Sequence, residues 1–411
     1  MRLLVYRYVI EAGVNEMMRD YGFLGILLAF LLLAFFFLAM PACAEQSWDV
    51  QTVDENALGL GNGYCPIAVN SNNVPSIAYT SSNSSAALVM YAGWNSSLGG
   101  FSTQRITTGY ATDIMLDPQN SPVILCGSGG LQYVGWNGTG WTFQKVDDGN
   151  FGTIALDSTE KPHVGYISGN IVKYASWTGS NWTTQTIDTY SILPSLTPQV
   201  YLDIDSTDKP YIMYFMSPDL KLATLENSGW NIQNVSLPDT IGDVGNMVLD
   251  SKGFPRFIYL VYSVSEIKYA SWNGFNWKTE TAVSGFPMEN VGFLALDSLD
   301  YPHISFVSGQ KLMYAGWTGA EWSIQTVYAD LPVQGPAYMA VDSNRVPHMS
   351  FRANPPSEGL FGRFNYMMYA AATEPVPLSL PSVFPLLLAV AAVIIGAVIV
   401  VITYVWKKKM S

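Results

Sequence analysis

Cysteine and histidine are scarce in this sequence, which excludes most sites built from them. The 411 residues include three cysteines and three histidines. A small fold stapled by disulfides would need a higher share of cysteine, so this chain is not expected to depend on a disulfide framework. Cys43 falls in the leader described below. Cys65 and Cys126 remain, either as a disulfide pair or as two buried free thiols.

Charge is also sparse, and positive charge most of all. Only 13% of the residues are charged, with 20 Lys and Arg against 32 Asp and Glu, for a net charge of −12. The basic residues do not cluster except at the extreme carboxyl end. This balance argues against nucleic acid and anionic lipid surfaces as partners.

The residue patterns of common catalytic sites are missing. The sequence has no Ser-x-Asp-x-Gly-x-x-Trp turn of the sialidase type, no nucleophile elbow and no glycine-rich phosphate loop. No paired carboxylates stand out for glycoside hydrolysis. The arginines that a sialidase would gather are scattered, at Arg105, Arg256, Arg345, Arg352 and Arg363. We therefore expect a protein that is not an enzyme and that carries no cofactor and no metal.

One unit, clearest at 294–327, recurs along the chain. It contains four short apolar runs, LALD, PHISF, KLMYAGW and WSIQTV, separated by segments that contain Gly, Asp or Ser. Each run has four to seven residues and is rich in β-branched and aromatic side chains, which is typical of strands rather than helices. The unit therefore predicts a four-stranded antiparallel sheet.

Seven copies of the unit can be counted. The residue that closes the first run recurs as Asn70, Asp117, Asp157, Asp205, Asp250, Asp297 and Asp342, at intervals of 40 to 48 residues. A proline stands five residues after each, at Pro75, Pro122, Pro162, Pro210, Pro255, Pro302 and Pro347. Four strands in every 40–50 residues predict an all-β fold, a β-propeller of seven blades.

The two ends of the repeat region complete each other. The seventh copy lacks its fourth run, but residues 48–53, WDVQTV, closely match the fourth run WSIQTV at 322–327. The N-terminal strand is therefore expected to complete the last blade, which closes the ring and removes an unpaired edge. The predicted propeller domain spans 45–373.

The flanking segments predict a cell-surface address. Residues 1–44 contain an uninterrupted run of 18 uncharged residues (23–40) and a small-x-small site, which is typical of a signal peptide, with an uncleaved signal anchor as the alternative. A proline-rich stalk (374–383), a membrane helix (384–405) and a basic cytoplasmic tail (406–411) follow, so the propeller is expected outside the cell. Asn-x-Ser/Thr sequons support this address: Asn83, Asn95, Asn137, Asn181 and Asn234.

Most residues that recur are expected to build the fold. The repeated Asp can accept N–H groups of the turn that follows it. Calcium binding at Asp203, Asp205 and Asp208 is the alternative, although the EF-hand pattern is absent. Three histidines follow the repeat proline in separate blades, too far apart to share a metal: His163, His303 and His348.

Pairs of tryptophans flank the turn between the third and fourth strands: Trp136 with Trp141, Trp177 with Trp182, Trp272 with Trp277, and Trp317 with Trp322. We expect them to pack across strands or between blades. The alternative is that an exposed indole stacks on a sugar. Blade 4 departs from the pattern, because Leu225 replaces the first tryptophan and leaves Trp230.

The two ends of the blades should differ in function. The constant face carries the Asp–Pro turns and the tryptophan turns, and the variable face carries the second-to-third-strand loops and the blade-to-blade loops. The variable loops include 81–87, 188–197, 237–245, 284–291 and 352–365. Varied loops on a rigid scaffold are where recognition usually resides. Ligand-binding residues are predicted there: Tyr190, Phe286, Arg352, Phe361, Arg363 and Phe364.

The pattern LDSxxxPHISY…LKYAxWxGxxWxxQTV resembles the repeats of surface-anchored seven-bladed propellers of archaea and bacteria, and more distantly propeller lectins and sialidase-like propellers. The resemblance implies an extracellular module that binds a protein or a glycan. Two alternatives remain. A glycan-active enzyme, sialidase-like or lyase-like, predicts a deep, charged central pocket. A structural component of the cell envelope predicts self-association.

Overall fold

The computed structural model describes residues 46–374, apart from 59–63, 83–85, 191–198, 289 and 356–363. These residues form seven antiparallel sheets of four strands each. The first strand of every sheet contacts the first strands of the two neighbouring sheets, so the sheets form a closed ring. The chain is therefore a seven-bladed β-propeller, as the repeat predicted.

The strands of the blades follow one another from the centre outward. The inner strands of blades 1 to 7 are β2 (Ile67–Val69), β6 (Tyr110–Leu116), β10 (Phe151–Leu156), β14 (Gln199–Ile204), β18 (Asp243–Leu249), β22 (Phe293–Leu296) and β26 (Val333–Val341). The second strands, each beginning at the repeat proline, are β3 (Pro75–Ser82), β7 (Pro122–Gly127), β11 (Pro162–Ser168), β15 (Pro210–Met216), β19 (Pro255–Val261), β23 (Pro302–Ser308) and β27 (Pro347–Ala353). The strand start is a position that tolerates proline in a sheet.

The outer half of each blade is built from the two remaining strands. The third strands are β4 (Ala87–Asn95), β8 (Leu131–Trp136), β12 (Ile171–Trp177), β16 (Asp219–Glu226), β20 (Glu266–Trp272), β24 (Lys311–Trp317) and β28 (Phe364–Ala372). The outermost strands are β5 (Gly100–Thr108), β9 (Trp141–Asp147), β13 (Trp182–Thr189), β17 (Gly229–Asn234), β21 (Trp277–Val283), β25 (Trp322–Tyr328) and β1 (Trp48–Leu58). Buried aliphatic and aromatic side chains fill the space between neighbouring blades.

The ring is closed by the N-terminal strand, as predicted. β1 pairs antiparallel with β28, in a register that places Trp48 opposite Ala372 and Val50 opposite Ala370. The Thr373 N–H also donates to the Ser47 carbonyl oxygen at 3.0 Å. Residues more than 300 positions apart therefore share one sheet, and blade 7 is complete only when the two ends of the propeller meet.

The repeated Asp, or Asn70 in blade 1, forms the turn after each inner strand. In blade 6, Asp297 Oδ1 accepts the N–H groups of Leu299 and Tyr301 at 2.8 and 2.9 Å. The three carboxylates of the calcium alternative bond different groups, and no cluster of three or more metal-ligating side chains is found among the described residues. The side chain of Asp203 accepts the Leu249 N–H, whereas Asp205 accepts from its own turn and Asp208 from a serine of blade 3.

The histidines link the Asp of the turn to a tyrosine of the third strand. His303 is fully buried, hydrogen-bonds through Nδ1 with the Tyr314 hydroxyl at 2.5 Å, and has Nε2 3.4 Å from Asp297 Oδ2. His163 and His348 hold equivalent positions in blades 3 and 7. Their predicted structural role is confirmed.

The second tryptophan of most hairpins packs between blades. In six of the seven junctions, this ring, or Phe101 in blade 1, lies 5.0–5.9 Å from a tyrosine of the preceding blade's third strand. In four junctions the indole N–H also donates to a Gln or Glu of the preceding outermost strand. The packing interpretation of the tryptophans therefore holds at these junctions.

Candidate functional site

A cavity of about 450 Å³ lies at the centre of the ring, and all seven blades contribute to it. Its lining comes from the inner strands and the residues just before them, from Tyr64 in blade 1 to Tyr338 in blade 7. The residues just before the inner strands belong to the blade-to-blade loops, so this end of the cavity lies at the variable face.

Aromatic rings form one wall of the cavity. Phe293 stacks on Tyr338 with ring centroids 3.9 Å apart. Tyr64 lies 6.4 Å from Tyr338 and 6.0 Å from Phe151, which continues the row across the channel. A fifth ring, Tyr201, lines the cavity from blade 4. Such rings offer a rigid apolar surface against which a ligand can pack.

Two half-buried carboxylates link neighbouring inner strands around the cavity. Asp113 accepts the Ile114 N–H and, from the next blade, the Ile154 N–H, both at 2.9 Å. Asp203 likewise accepts the N–H groups of Ile204 and Leu249 at 2.8 Å. Burial raises the pKa of Asp113 to about 7 and that of Asp203 to about 6, although the backbone hydrogen bonds oppose the rise.

A third carboxylate, Asp243, lies where β18 begins. It accepts the Val244 N–H at 2.9 Å, and burial raises its pKa as well, with the Gln199 amide opposing the rise. Nearby, the buried side-chain oxygens of Gln199 and Asn290 accept no hydrogen bond from any described residue. The cavity therefore presents several acceptor oxygens to which a ligand could donate hydrogen bonds.

Basic side chains are absent from the described lining of the cavity. Arg352, which was predicted as a ligand contact in a variable loop, is 4% exposed and donates through Nη2 to the Thr80 carbonyl oxygen at 2.5 Å. Its predicted place in a loop is wrong, because β27 continues to Ala353 and its alternation turns this side chain into the junction with blade 1. Burial lowers the pKa of Arg352.

The other predicted ligand residues do not come together. Tyr190 is half-buried between blades 3 and 4, with its hydroxyl donating to the Gly169 carbonyl oxygen at 3.2 Å. Phe286 packs against Phe306 at 6.2 Å, far along the ring in blade 6. Phe361 and Arg363 lie outside the described residues, and Phe364 begins β28 with a side chain that the structure does not describe.

The predicted modification sites are only partly described. Asn137, Asn181 and Asn234 are exposed, Asn95 is half-exposed, and Asn83 lies outside the described residues.

Both remaining cysteines are buried free thiols, so the disulfide alternative does not hold in this structure. Cys65 donates to the Ser350 carbonyl oxygen at 3.5 Å, whereas Cys126 packs in an apolar cluster. Burial raises the pKa of Cys65 to about 11 and that of Cys126 to about 12, which leaves both unreactive at neutral pH.

The residues that line the cavity were missed in the sequence, although they left a signal there. The position four residues before the repeat Asp or Asn takes six residue types in seven blades, whereas the residue after it is always Ile, Leu or Met: Pro66, Asp113, Thr153, Tyr201, Asn246, Phe293 and Tyr338. A position that varies inside an otherwise regular repeat is free of the packing that constrains the others.

Comparison with solved structures agrees with the fold. The chain is similar to an ulvan lyase of polysaccharide lyase family PL25 bound to -[GlcA(1-4)Rha3S]-, at 11% identity and a TM-score of 0.55, over 81% of this chain and 98% of that chain. It is also similar to polysaccharide lyase Uly1, at 10% identity and a TM-score of 0.53, over 80% and 99% of the two chains.

A third similar structure is YCF48 bound to a D1 peptide. The identity is 12% and the TM-score 0.50, over 81% of this chain and 99% of that chain. At such identities the likeness shows the fold alone. No protein-family model and no curated protein matches the sequence.

Proposed function

We propose that this propeller is an extracellular, membrane-anchored binding module that takes a basic side chain of a protein partner into its central cavity. One observation carries the proposal. The cavity joins three carboxylates and two unpaired amide oxygens to an aromatic wall, and its described lining holds no cation. The extracellular address rests on the sequons and on the predicted leader and membrane span (384–405), both of which lie outside the described residues.

The chemistry of the lining favours one class of ligand. A Lys ammonium or an Arg guanidinium is a donor with no acceptor, and it matches a site made of acceptors. The same cations bind favourably over aromatic faces. Between the protein and glycan ligands expected from the sequence, a protein with an exposed Lys or Arg therefore fits better.

A glycan-active enzyme is the weaker alternative. A deep cavity with charged residues is what it requires, and tyrosines are present. However, burial raises the pKa of Tyr338 well above its ordinary value, which opposes the tyrosinate that a base would need. Sialic acids and uronates also bring a carboxylate, which the acidic cavity would repel. We therefore propose a binding role without catalysis.

Binding of short peptides to the purified full-length chain tests the proposal. Peptides of one length with a central Lys, Arg, Gln or Glu are titrated by calorimetry. We expect binding of the Lys or Arg peptide only, weakened at least about tenfold by Asp243→Asn, which removes a charge from the cavity.

Asp330→Asn is the matched control, because it removes the same charge from an exposed loop position of the variable face. Equal binding of the Glu and Lys peptides would overturn the proposal. Cleavage of a uronate polysaccharide would establish the enzyme instead, and concentration-dependent self-association without peptide binding would support the envelope role.

A further inference from the structure

The junction between blades 4 and 5 breaks the packing rule that the other junctions follow. Leu222 stands where the other six blades have the tyrosine that contacts a Trp or Phe ring of the next blade. Trp277 therefore packs on Phe257 of its own blade, with ring centroids 5.0 Å apart. Gln233 holds the position of the glutamines that accept an indole N–H elsewhere, but the structure places no such bond between it and Trp277.

The missing tyrosine leaves a groove of about 240 Å³ on the side of the ring. Leu222 and Gln233 form one wall, and Trp272 and Trp277 form the other. The groove lies near the constant face and shares no lining residue with the central cavity. It is smaller than the roughly 300–1,000 Å³ of clefts that hold drug-sized ligands.

Polar groups surround the indole surfaces. Asn231, Thr224 and Gln233 line the groove with amide and hydroxyl groups. Lys209 and Glu226 also line it, and their Nζ and Oε1 atoms are 2.6 Å apart in an ion pair. Because the two charges compensate each other, the groove offers hydrogen bonds without a net charge.

We propose that this groove binds one neutral sugar residue of a glycan. A pyranose ring has an apolar face that can lie on an indole and a rim of hydroxyls that both donate and accept hydrogen bonds. The groove provides matching surfaces for each. Its size limits the ligand to about one ring, and its paired charges favour a neutral sugar over an acidic one. The proposal does not depend on the role of the central cavity.

The test uses full-length protein produced without N-glycosylation, because the sequon residue Asn234 lines the groove. Methyl glycosides of glucose, galactose, mannose and fucose are titrated, and binding is followed by ligand-observed NMR. Leu222→Tyr restores the tyrosine of the repeat and fills the groove. We expect at least one glycoside to bind, and Leu222→Tyr to weaken that binding at least tenfold without loss of stability.

Two further variants distinguish a sugar site from a general change in the protein. Gln233→Ala removes a groove amide and should weaken glycoside binding. Gln144→Ala removes the equivalent side chain from the junction of blades 2 and 3, where it accepts the Trp182 indole N–H, and should leave binding unchanged. Absence of glycoside binding, or binding that persists in a folded Leu222→Tyr protein, overturns the proposal.

Discussion

Single buried polar residues tie the turns of this propeller to its strands. His303 is enclosed by Tyr314, Asp297 and the nearby Arg345, which bonds the same carboxylate at 2.6 Å. Burial lowers the pKa of His303, with the Arg345 charge acting in the same direction and Asp297 opposing both. The native protein therefore holds this imidazole neutral under conditions in which an unfolded chain would protonate it.

This shift predicts a loss of stability in mild acid. Below pH about 6.5, the ordinary pKa of histidine, His303 binds a proton in the unfolded chain but not in the native state. The free energy of unfolding therefore falls as the pH falls. His303→Val introduces the residue that blade 2 has at the equivalent position, Val123. We expect it to cost about 1–3 kcal/mol at pH near 7.5, because the Tyr314 hydroxyl loses its partner.

Urea denaturation of both proteins from about pH 7.5 to pH 5 measures the effect. The stability advantage of the wild type over His303→Val should shrink as the pH decreases. Ionisation of Asp113 and Asp203 contributes equally to both proteins and cancels in the difference. A difference that stays constant with pH would show that the pKa of His303 is the same in the native and unfolded states.

A glycine controls how closely two strands of blade 6 approach. Gly292 has φ +79, and a Cβ there would lie 1.8 Å from the Ser305 carbonyl oxygen. Gly292→Ala should therefore cost well over about 1 kcal/mol, since both the backbone conformation and the space oppose it. Gly285→Ala is the control, because Gly285 has φ +81 with nothing within 4 Å. Equal costs in thermal denaturation would mean that conformation, not contact, explains Gly292.

Some of these residue roles could be predicted from the sequence and others could not. The repeat Asp, the proline and the histidines recur, and recurrence indicates a shared structural role. Arg352 was assigned to a variable loop, whereas β27 continues to Ala353 and buries it. Sequence alternation cannot show which side of a strand faces a neighbouring blade when both sides are covered.

Among the elements, β1 has the greatest effect on closure, because it alone joins the two ends of the propeller. Trp48 of this strand also joins blade 7 to blade 6, because the centroid of its ring lies 5.1 Å from that of Tyr314. The match between the sequences at 48–53 and 322–327 was sufficient to predict the pairing. The extension of β1 to Leu58 was not predicted, because residues 54–58 have no counterpart in the repeat.

Loss of the Trp48 ring should therefore weaken the whole propeller. Trp48→Ala removes a contact between blades, and we expect it to lower the free energy of unfolding by up to about 3 kcal/mol, the low end for a buried tryptophan, because the ring is half-buried. Trp317→Ala is the control, since the ring contact of Trp317 is with Trp322 of the same blade. If both variants lose the same stability in urea, the junction has no special role in closure.

At the scale of the whole molecule, charge and architecture act together. The chain carries a net charge of −12, and three carboxylates lie in the cavity on the ring axis. An acidic protein with an acidic cavity attracts cations at long range and holds them where the surroundings exclude water. The sequence predicted the negative net charge but not the position of these three carboxylates in the cavity. They are 40 or more residues apart and occupy different positions of the repeat, so no pattern connects them.

The raised pKa values of these carboxylates make cation binding dependent on pH. Asp113 and Asp203, with pKa values of about 7 and 6, are ionised at pH near 8 and mostly protonated at pH near 5. A bound ammonium or guanidinium group favours the ionised forms, so binding releases protons and weakens as the pH falls. Calorimetry with a Lys peptide should show affinity falling at least about tenfold between these pH values.

A neutral glycoside in the groove between blades 4 and 5 is the control, and it should bind equally at both pH values. Among the described residues, no carboxylate with a raised pKa lines that groove. Peptide affinity that stays constant across this range would place the ligand outside the central cavity.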